Sequence, residues 1–364
     1  LTSYQLMQAG AKVKAIIEAQ PFEGGFPVQA NRVRRLGIPI LLSHILLKAI
    51  PNKNRDGITG AVVAECKNFR PVPGTEKIIE GIDAINICTG LVPDDQLLIK
   101  GNDIFGRKCF GAGDAIRIGE GTSAVLRGKQ VAYEILQEMN ERFDYDAYLA
   151  VSKEYIDSQQ HPLRIIKEPY RPEPDRMNGK PYVLIDCLYG FACNPCEFAC
   201  PQGAITKTST STVPYIDFDK CIGCMDCVYQ CPGLAIFGYN PKKNWLFLPI
   251  EYFVDEKTEV YLADNNGKIL GNGIVEKILK KPNKTHIARV LSLDVHGESL
   301  NNVRGFIAKK DYPEPLKMKK TTYRKEEDTY VCHCDDVAID EILDVIGDRK
   351  FISVDEVKHT TRLG

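Results

Sequence analysis

The stretch Cys221-Ile222-Gly223-Cys224-Met225-Asp226-Cys227-Val228-Tyr229-Gln230-Cys231-Pro232 decides how the middle of this sequence folds. The pattern Cys-x2-Cys-x3-Cys-Pro-x2-Ala-Ile, which starts at Cys224, also occurs 31 residues earlier, starting at Cys193. A duplicated half-site of this kind predicts two similar cages related by a pseudo-twofold axis. Soft sulfur donors match the iron of iron-sulfur clusters, and each four-iron cube needs four of them.

The run C-x2-C-x2-C-x3-C-P resembles that of bacterial dicluster ferredoxins, in which the fourth cysteine serves the other cluster. The resemblance covers most of residues 181–240 and implies two [4Fe-4S] clusters. One cluster would take Cys200, Cys221, Cys224 and Cys227. The other would take Cys187, Cys193, Cys196 and Cys231.

Cys187 is the departure from the family pattern. The position equivalent to Cys221 is Gly190, so we assign Cys187, three residues earlier, as a ligand reached by a longer loop. Two alternatives stay open: a pair of four-thiolate zinc sites, and eight structural or disulfide-bonded cysteines. The x2, x2, x3 spacing followed by proline disfavours both.

Composition narrows the class of protein. The length of 364 residues favours two or three domains. A net charge of −1 leaves no basic excess for nucleic acid. We expect no membrane span and a cytoplasmic location, because the longest apolar stretch, Ile38 to Ile50, is interrupted by polar residues and no signal segment is visible. The chain starts at Leu1 without a methionine, and we expect a fragment.

Two segments carry a second resemblance. A predicted strand, Ala84 to Cys88, leads into Thr89-Gly90, and Cys109-Phe110 leads into Gly111-Ala112-Gly113-Asp114, with a helix predicted from Thr122 to Glu138. They resemble the two later flavin motifs of pyridine-nucleotide-dependent flavoprotein reductases, which implies FAD. Asp114 would accept hydrogen bonds from the ribityl chain, and the helix would direct its positive end at the flavin. The implied cofactor-binding residues are Thr89, Gly90, Gly111, Gly113, Asp114 and Thr122. An ordinary turn is the alternative.

The N-terminal residues resemble the part of a dinucleotide fold that follows its glycine fingerprint. We predict a helix from Tyr4 to Ala9, a stop at Gly10 and a strand from Val13 to Ile17. Glu18 then stands where an acidic residue binds the adenosine ribose, which favours NAD(H). Alternatively, Glu18 is a solvated strand end. The arginines at positions 32, 34 and 35 suggest either a 2′-phosphate site or, as we expect, a solvated face.

The last residues contain Cys332-His333-Cys334 and resemble the first half of the [2Fe-2S] domain of bacterioferritin-associated ferredoxins (BFD). Two thiolates cannot complete such a site, so the resemblance implies that Cys332 and Cys334 hold a [2Fe-2S] cluster in a longer chain. A reactive thiol pair is the alternative.

The order of segments predicts a multidomain fold. We expect a partial α/β nucleotide-binding domain, an α+β dicluster ferredoxin, a small antiparallel β module with a hairpin turn at Asp264-Asn265-Asn266-Gly267, and a truncated BFD-like segment. The predicted boundaries are 1–80 for NAD(P) binding, 81–145 for FAD binding, 146–180 for a linker, 181–240 for the ferredoxin, 241–320 for the β module and 325–364 for the tail.

This order resembles the flavin and iron-sulfur subunits of multi-subunit proline, hydroxyproline and sarcosine dehydrogenases. The resemblance implies an oxidoreductase subunit that passes electrons between NAD(H), FAD, two [4Fe-4S] clusters and a partner flavoprotein that oxidises an amine or amino acid. No catalytic side chain is needed for that transfer. A non-catalytic electron relay with a vestigial nucleotide fold and a zinc-stapled interaction protein are the alternatives.

Overall fold

The computed structural model describes residues 2–119, 121–159, 165–177, 179–209 and 211–322, with the short segments 330–332 and 337–338. The chain divides into two compact units. The first comprises Leu1–His44 and Ala84–Leu316, and the second comprises Ile45–Asp83 and Lys317–Gly364.

Two of the helices in the described residues, Gly121–Glu138 and Tyr145–Ser158, have 14 residues or more, and the others have ten or fewer. All of the α-helices in the described residues follow in chain order. They are α1 (Thr2–Gln8), α2 (Pro27–Arg35), α3 (Gln96–Phe105), α4 (Gly121–Glu138), α5 (Tyr145–Ser158), α6 (Pro174–Met177), α7 (Pro195–Phe198) and α8 (Asp226–Gln230).

The strands fall into two groups along the chain. Those before the cysteine block are β1 (Ile16–Ile17), β2 (Ile40–Leu41), β3 (His44–Pro51), β4 (Ile58–Lys67), β5 (Arg70–Pro71) and β6 (Lys77–Glu80). Those within and after it are β7 (Tyr182–Ile185), β8 (Ile205–Thr206), β9 (Tyr215–Ile216), β10 (Ile236–Asn240), β11 (Trp245–Pro249), β12 (Glu259–Ala263), β13 (Ile269–Leu279), β14 (Ile287–Ser292), β15 (Gly305–Ala308), β16 (Met318–Lys320), β17 (Tyr330–Cys332) and β18 (Val337–Ala338).

A seven-stranded antiparallel sheet organises the first unit, with the strand order β15-β12-β13-β14-β11-β10-β7. The two strands that flank the cysteine repeats, β7 and β10, pair with each other, and Tyr182 lies opposite Tyr239. Strand β10 also pairs with β11, so the boundary predicted at residue 240 falls between two hydrogen-bonded neighbours. The predicted hairpin turn joins β12 to β13 and is confirmed.

Alternating residues of β7 and β10 face two different cores, as the period of two along a strand requires. Tyr182, Leu184 and Phe237 pack with the strands of the β module. Val183, Ile185 and Ile236 pack instead with the cysteine-bearing helices α7 and α8. Both faces of this strand pair are therefore buried, which fixes the frame from which the cysteines project.

The N-terminal residues form the predicted helix, which begins two residues earlier than expected and ends one residue earlier, and a strand shorter than predicted. Helix α1 ends before Gly10, whose φ of +88° suits a residue without a side chain. Strands β1 and β2 pair in parallel across α2, with Ile16 opposite Ile40.

The prediction of a strand over Ala84 to Cys88 is wrong. Residues 84–95, all of them described, form neither helix nor strand, and Ile87 is 72% exposed. Apolar runs become strands only where a neighbouring strand accepts their hydrogen bonds.

Helix α2 packs against the β module through buried ion pairs. The side chains of Arg32 and Arg35 are 5% and 2% exposed, so the expectation of a solvated face is wrong for both. The Nε and Nη2 atoms of Arg35 donate to Oε1 of Glu251, at 3.1 and 2.5 Å. The Arg32 guanidinium lies over the Tyr4 ring, 3.9 Å from its centroid. Buried charges need such partners, because an unpaired charge in the interior is costly.

The second unit contains a sheet in the order β16-β6-β4-β3, with β5 paired to β4. Cys66 lies buried in β4. Of the tail, β17 and β18 pair with each other, and β17 ends at Cys332. Cys334 and most of the predicted BFD-like segment lie outside the described residues.

In the part of the chain that the structure describes, no helix is long and apolar enough to cross a membrane.

Candidate metal centre

Eight cysteines line two cavities beside the β7–β10 strand pair. We call cavity A the larger, about 120 Å³, which is lined by the thiols of Cys187, Cys193, Cys196 and Cys231. Cavity B, about 20 Å³, is lined by the thiols of Cys200, Cys221, Cys224 and Cys227. Among the described residues, no three His, Cys, Asp or Glu side chains converge on one point as ligands of a single metal ion would. The thiols stand instead around cavity walls.

The two sequence repeats exchange one cysteine each. Cys200 belongs to the first repeat but lines cavity B, while Cys231 belongs to the second repeat and lines cavity A. The structure therefore groups the eight cysteines in the two sets of four that the ferredoxin resemblance implies. The grouping follows from the fold, because α7 carries Cys196 and α8 carries Cys227 on the same face of the strand pair.

Backbone N–H groups point at the exchanged sulfur atoms in both repeats. The Ala204 N–H donates to Sγ of Cys200 at 3.2 Å, and the Ala235 N–H donates to Sγ of Cys231 at 3.4 Å. Each donor lies four residues after its cysteine, beyond the proline that ends the helical turn. Such bonds stabilise negative charge on sulfur, which a cluster ligand carries.

Glycine shapes the loop of cavity B. Gly223 has a φ of +70°, and a Cβ added there would lie 2.4 Å from the Pro181 carbonyl oxygen. A larger residue cannot follow this path between Cys221 and Cys224 without moving the backbone. The short Cys-x2-Cys loop can therefore fold tightly enough to turn two thiols toward one cavity.

Cys187 lies two residues after the end of strand β7, and the intervening residue, Asp186, anchors it. The Asp186 N–H donates to the Ala235 carbonyl oxygen at 2.7 Å. The Asp186 carboxylate accepts from Nε of Arg304 at 2.7 Å and from the side-chain amide of Asn265. The hairpin turn of the β module thus helps to fix the place where Cys187 enters cavity A.

Burial raises the pKa of several of these thiols. The pKa values of Cys187 and Cys196 rise to about 12, because burial disfavours the thiolate and the neighbouring cysteines add to the effect. Burial also raises the pKa of Cys227 and Cys231, although backbone N–H groups partly oppose it at Cys231. Thiolates that are this unfavourable alone need a cationic centre between them, and the arrangement fits a cluster that supplies iron to four of them.

These shifts predict that the iron-free chain loses stability in alkali. Between pH 9.0, the ordinary thiol pKa, and about 12, the folded state keeps protons on Cys187 and Cys196 that the unfolded state releases. The free energy of unfolding must then fall as pH rises through this window, and the contribution is fully present below it. Urea unfolding of the iron-free chain at about pH 8 and about pH 10 measures the slope.

The matched control for this prediction is the double variant Cys187→Ala/Cys196→Ala. It removes both thiols and leaves in place the other groups that lose protons at alkaline pH. Its free energy of unfolding should change less between the two pH values. Equal slopes in the two proteins would contradict the assignment of the effect to these thiols.

Cavity A also receives a lysine. Nζ of Lys207 donates to the carbonyl oxygens of Phe191 and Cys193, at 3.1 and 2.5 Å. Burial lowers the pKa of this ammonium, whereas the charges of the nearby thiolates raise it. Phe26 and Phe191 meet edge to face beside it, with ring centroids 4.9 Å apart. Cavity A is thus lined by an ammonium group and two aromatic rings as well as by its four cysteines.

The predicted flavin and NAD(H) residues occupy several elements of the first unit. Glu18 follows β1, and its Oε1 accepts from the Gln20 N–H at 2.9 Å. Thr89 and Gly90 are exposed in residues 84–95. Oδ1 of Asp114 accepts from the Gly119 N–H at 3.2 Å.

The remaining flavin candidates surround the start of helix α4, which begins at Gly121 and includes Thr122, as predicted to within one residue. A Cβ at Gly111 would lie 2.3 Å from Cγ2 of Ile116, and Gly113 has a φ of +59°. Packing and backbone conformation alone therefore require both glycines.

Sequence reasoning missed several residues around cavity A. Phe26, Val28 and Gln29 of the N-terminal segment line it, far away in sequence. No local signal marks them. Lys207 could have been found, because the repeat offset of 31 aligns it with Gly238 and reveals a charge present in one half-site alone.

Comparisons with known proteins agree with this geometry. Residues 191–235 match the family model described as a 4Fe-4S dicluster domain. Over 38 residues the chain is 47% identical to one of the subunits of the sulfite dehydrogenase of Allochromatium vinosum. Over another 38-residue match it is 50% identical to a probable iron-sulfur subunit of the Frd operon of Proteus vulgaris. It is 37% identical over 51 residues to the PorD subunit of the pyruvate synthase of Methanocaldococcus jannaschii.

These matches are confined to a small part of the chain. They cover 10%, 10% and 14% of its length, and 16%, 23% and 58% of the respective relatives, less than two thirds of each. No solved structure gives a significant match. The cysteine block is a dicluster ferredoxin domain, which supports two [4Fe-4S] clusters.

Proposed function

We propose that this chain is the iron-sulfur electron-transfer subunit of a multi-subunit oxidoreductase, with one [4Fe-4S] cluster in each cavity. Two cavities lined by four thiols each, with one cysteine exchanged between repeats, carry the proposal. A [4Fe-4S] cluster supplies transfer of one electron at a time when bound. The thiolates of the chain would hold it, and the Ala204 and Ala235 N–H groups would stabilise the charge on two of them.

Cavity B offers the shorter route to a partner protein. Cys224 is exposed, and the adjacent Ile222 side chain is 50% exposed. In cavity A, by contrast, Cys196 is buried and Cys187, Cys193 and Cys231 are only partly exposed. Electrons would enter or leave through cavity B, and cavity A would exchange them with a redox cofactor, if the N-terminal part of the chain holds one.

The finer part of the proposal is that residues 1–145 bind NAD(H) and FAD, so that the chain links a nicotinamide cofactor to a partner flavoprotein that oxidises an amine or amino acid. The parallel β1–β2 pair across α2 and the helix α4 behind Asp114 support it. The exposed course of residues 84–95 favours a second candidate, a relay without its own flavin, because the predicted flavin strand is not formed.

Anaerobic purification followed by metal and flavin analysis tests these functions. We expect about eight irons per chain, four for each cube, and a broad visible band that dithionite bleaches. A flavin band as well would support the finer proposal, whereas iron without flavin would favour the relay. Zinc in place of iron would contradict both.

A further inference from the structure

The two half-sites differ at one charged position. The first repeat continues after its proline to Lys207, and the second continues to Gly238 at the equivalent place. Lys207 lines cavity A, whereas Gly238 lies next to Met225, which lines cavity B. The first half-site therefore has an ammonium group at a position where the second half-site has no side chain.

Lys207 is held in place at cavity A. It follows β8 directly, and its backbone N–H donates to Oε1 of Glu197 at 3.0 Å. Its Nζ donates to two carbonyl oxygens, one of them that of Cys193. The two Nζ bonds restrict a side chain that is otherwise flexible, and the backbone bond fixes the residue from which it extends. The ammonium group therefore has a defined position relative to the four thiols.

At cavity B an apolar side chain fills the corresponding space. A Cβ at Gly238 would lie 2.2 Å from Sδ of Met225, which is 4% exposed and lines the cavity. Apart from the thiols, the described residues that line cavity B carry no ionisable side chain. The nearby Asp226 pairs with Lys281 at 3.2 Å, so the two charges offset each other.

The positive charge of a second cation near cavity A, Arg32, is also offset by a carboxylate. Arg32 lowers the pKa of Cys231, but this arginine shares the buried carboxylate of Glu251 with Arg35. Glu197 also lies near Lys207, but it favours the charged ammonium less than Cys187, Cys196 and Cys193 do. Lys207 is consequently the cation that distinguishes the two cavities.

Building on the two-cluster function above, we propose that Lys207 sets the order of the two reduction potentials, with the cluster in cavity A above the cluster in cavity B. Reduction adds one electron, supplied for instance by a reduced flavin of the partner, and makes the site more negative by one charge. A fixed positive charge beside one site stabilises its reduced form, and the low dielectric of the interior strengthens the effect. Electrons that enter at cavity B would thus come to rest at cavity A, beside Phe26 and Val28 of the N-terminal segment.

The test is a redox titration of the full chain with both clusters bound, monitored by electron paramagnetic resonance. Lys207→Met and Lys207→Gln remove the charge, and Gln keeps a hydrogen-bond donor; Lys207→Arg keeps both. We expect the neutral variants to lower the potential of one cluster so that its electron affinity falls about tenfold, or about 59 mV for a one-electron couple. The other potential should stay in place, and Lys207→Arg should resemble the parent protein.

Lys309→Met is the matched control, because it removes a lysine that pairs with Glu259 at 3.0 Å and lies in neither cavity. The cluster that is lost in Cys187→Ser identifies which signal belongs to cavity A.

Three results would overturn the proposal: a shift no larger than that of Lys309→Met, equal shifts of both clusters, or a shift or cluster loss in Lys207→Arg as large as in Lys207→Met. The last result would make the lysine a structural element. Absence of iron from the parent protein would instead remove the proposed function itself.

Discussion

Replacing Cys187 with serine is expected to reduce the iron content from about eight to about four atoms per chain, because one cube loses a ligand. Conversion of that cube to a three-iron form, with its own paramagnetic signal when oxidised, is the milder version of the same result. The cluster in cavity B should keep its spectrum. Iron analysis and paramagnetic resonance of anaerobically purified protein measure both effects.

The structure gives a reason to expect the fourth ligand of cavity A at position 187 rather than 190. A Cβ at Gly190 would lie 2.4 Å from the Ser211 carbonyl oxygen, so a cysteine there would push against backbone. The variant Cys187→Ser/Gly190→Cys should therefore fail to restore the cluster. Cys109→Ser serves as the control, since this thiol lies in neither cavity. Two intact clusters in Cys187→Ser would refute the ligand assignment.

Replacing Glu251 with alanine is expected to lower the free energy of unfolding of the first unit by about 3–5 kcal/mol. The carboxylate is the shared partner of Arg32 and Arg35, at 3.5 and 2.5 Å, and all three side chains are at most 6% exposed. Its removal leaves two guanidinium groups buried beside each other. The apparent melting temperature should fall by on the order of 10 °C.

Two comparisons separate this effect from a general loss of charge. Glu259→Ala removes the acid of a more exposed pair with Lys309 and should cost about 1 kcal/mol or less. The triple variant Arg32→Met/Arg35→Met/Glu251→Leu replaces the whole buried group by apolar side chains and should recover much of the lost stability. If the variants Glu251→Ala and Glu259→Ala had the same melting temperature, the buried ion pairs would not be important for stability.

Local patterns allowed a good part of the cysteine block to be predicted. The repeat of 31 residues places both half-sites, and the turn from Asp264 to Gly267 predicts its hairpin, because turn chemistry depends on adjacent residues. Helix α4 follows from its apolar periodicity. In each case the signal and the structure lie within the same short stretch of chain.

Contacts between distant residues could not be predicted in the same way. Nothing in the sequence of β10 indicates that β7, about fifty residues earlier in the chain, is its neighbour. Arg32 and Arg35 look like a solvated face because their partner, Glu251, lies more than two hundred residues away. The segment from Ala84 to Cys88 has the composition of a strand but lacks a pairing partner among the described residues. Such features depend on tertiary packing, which overrides local propensity.

The sharing of β7 and β10 between two cores limits how this protein can be recombined. Tyr182, Phe237 and Tyr239 are 0% exposed, and they face the β module rather than the cysteines. Cutting the chain after residue 240 would leave these aromatic rings and the free edge of β10 open to other molecules. The cysteine block, residues 181–240, is therefore not a module that can be exchanged by itself. Gene fusion or protein engineering can transfer it to another chain only together with the strands that follow.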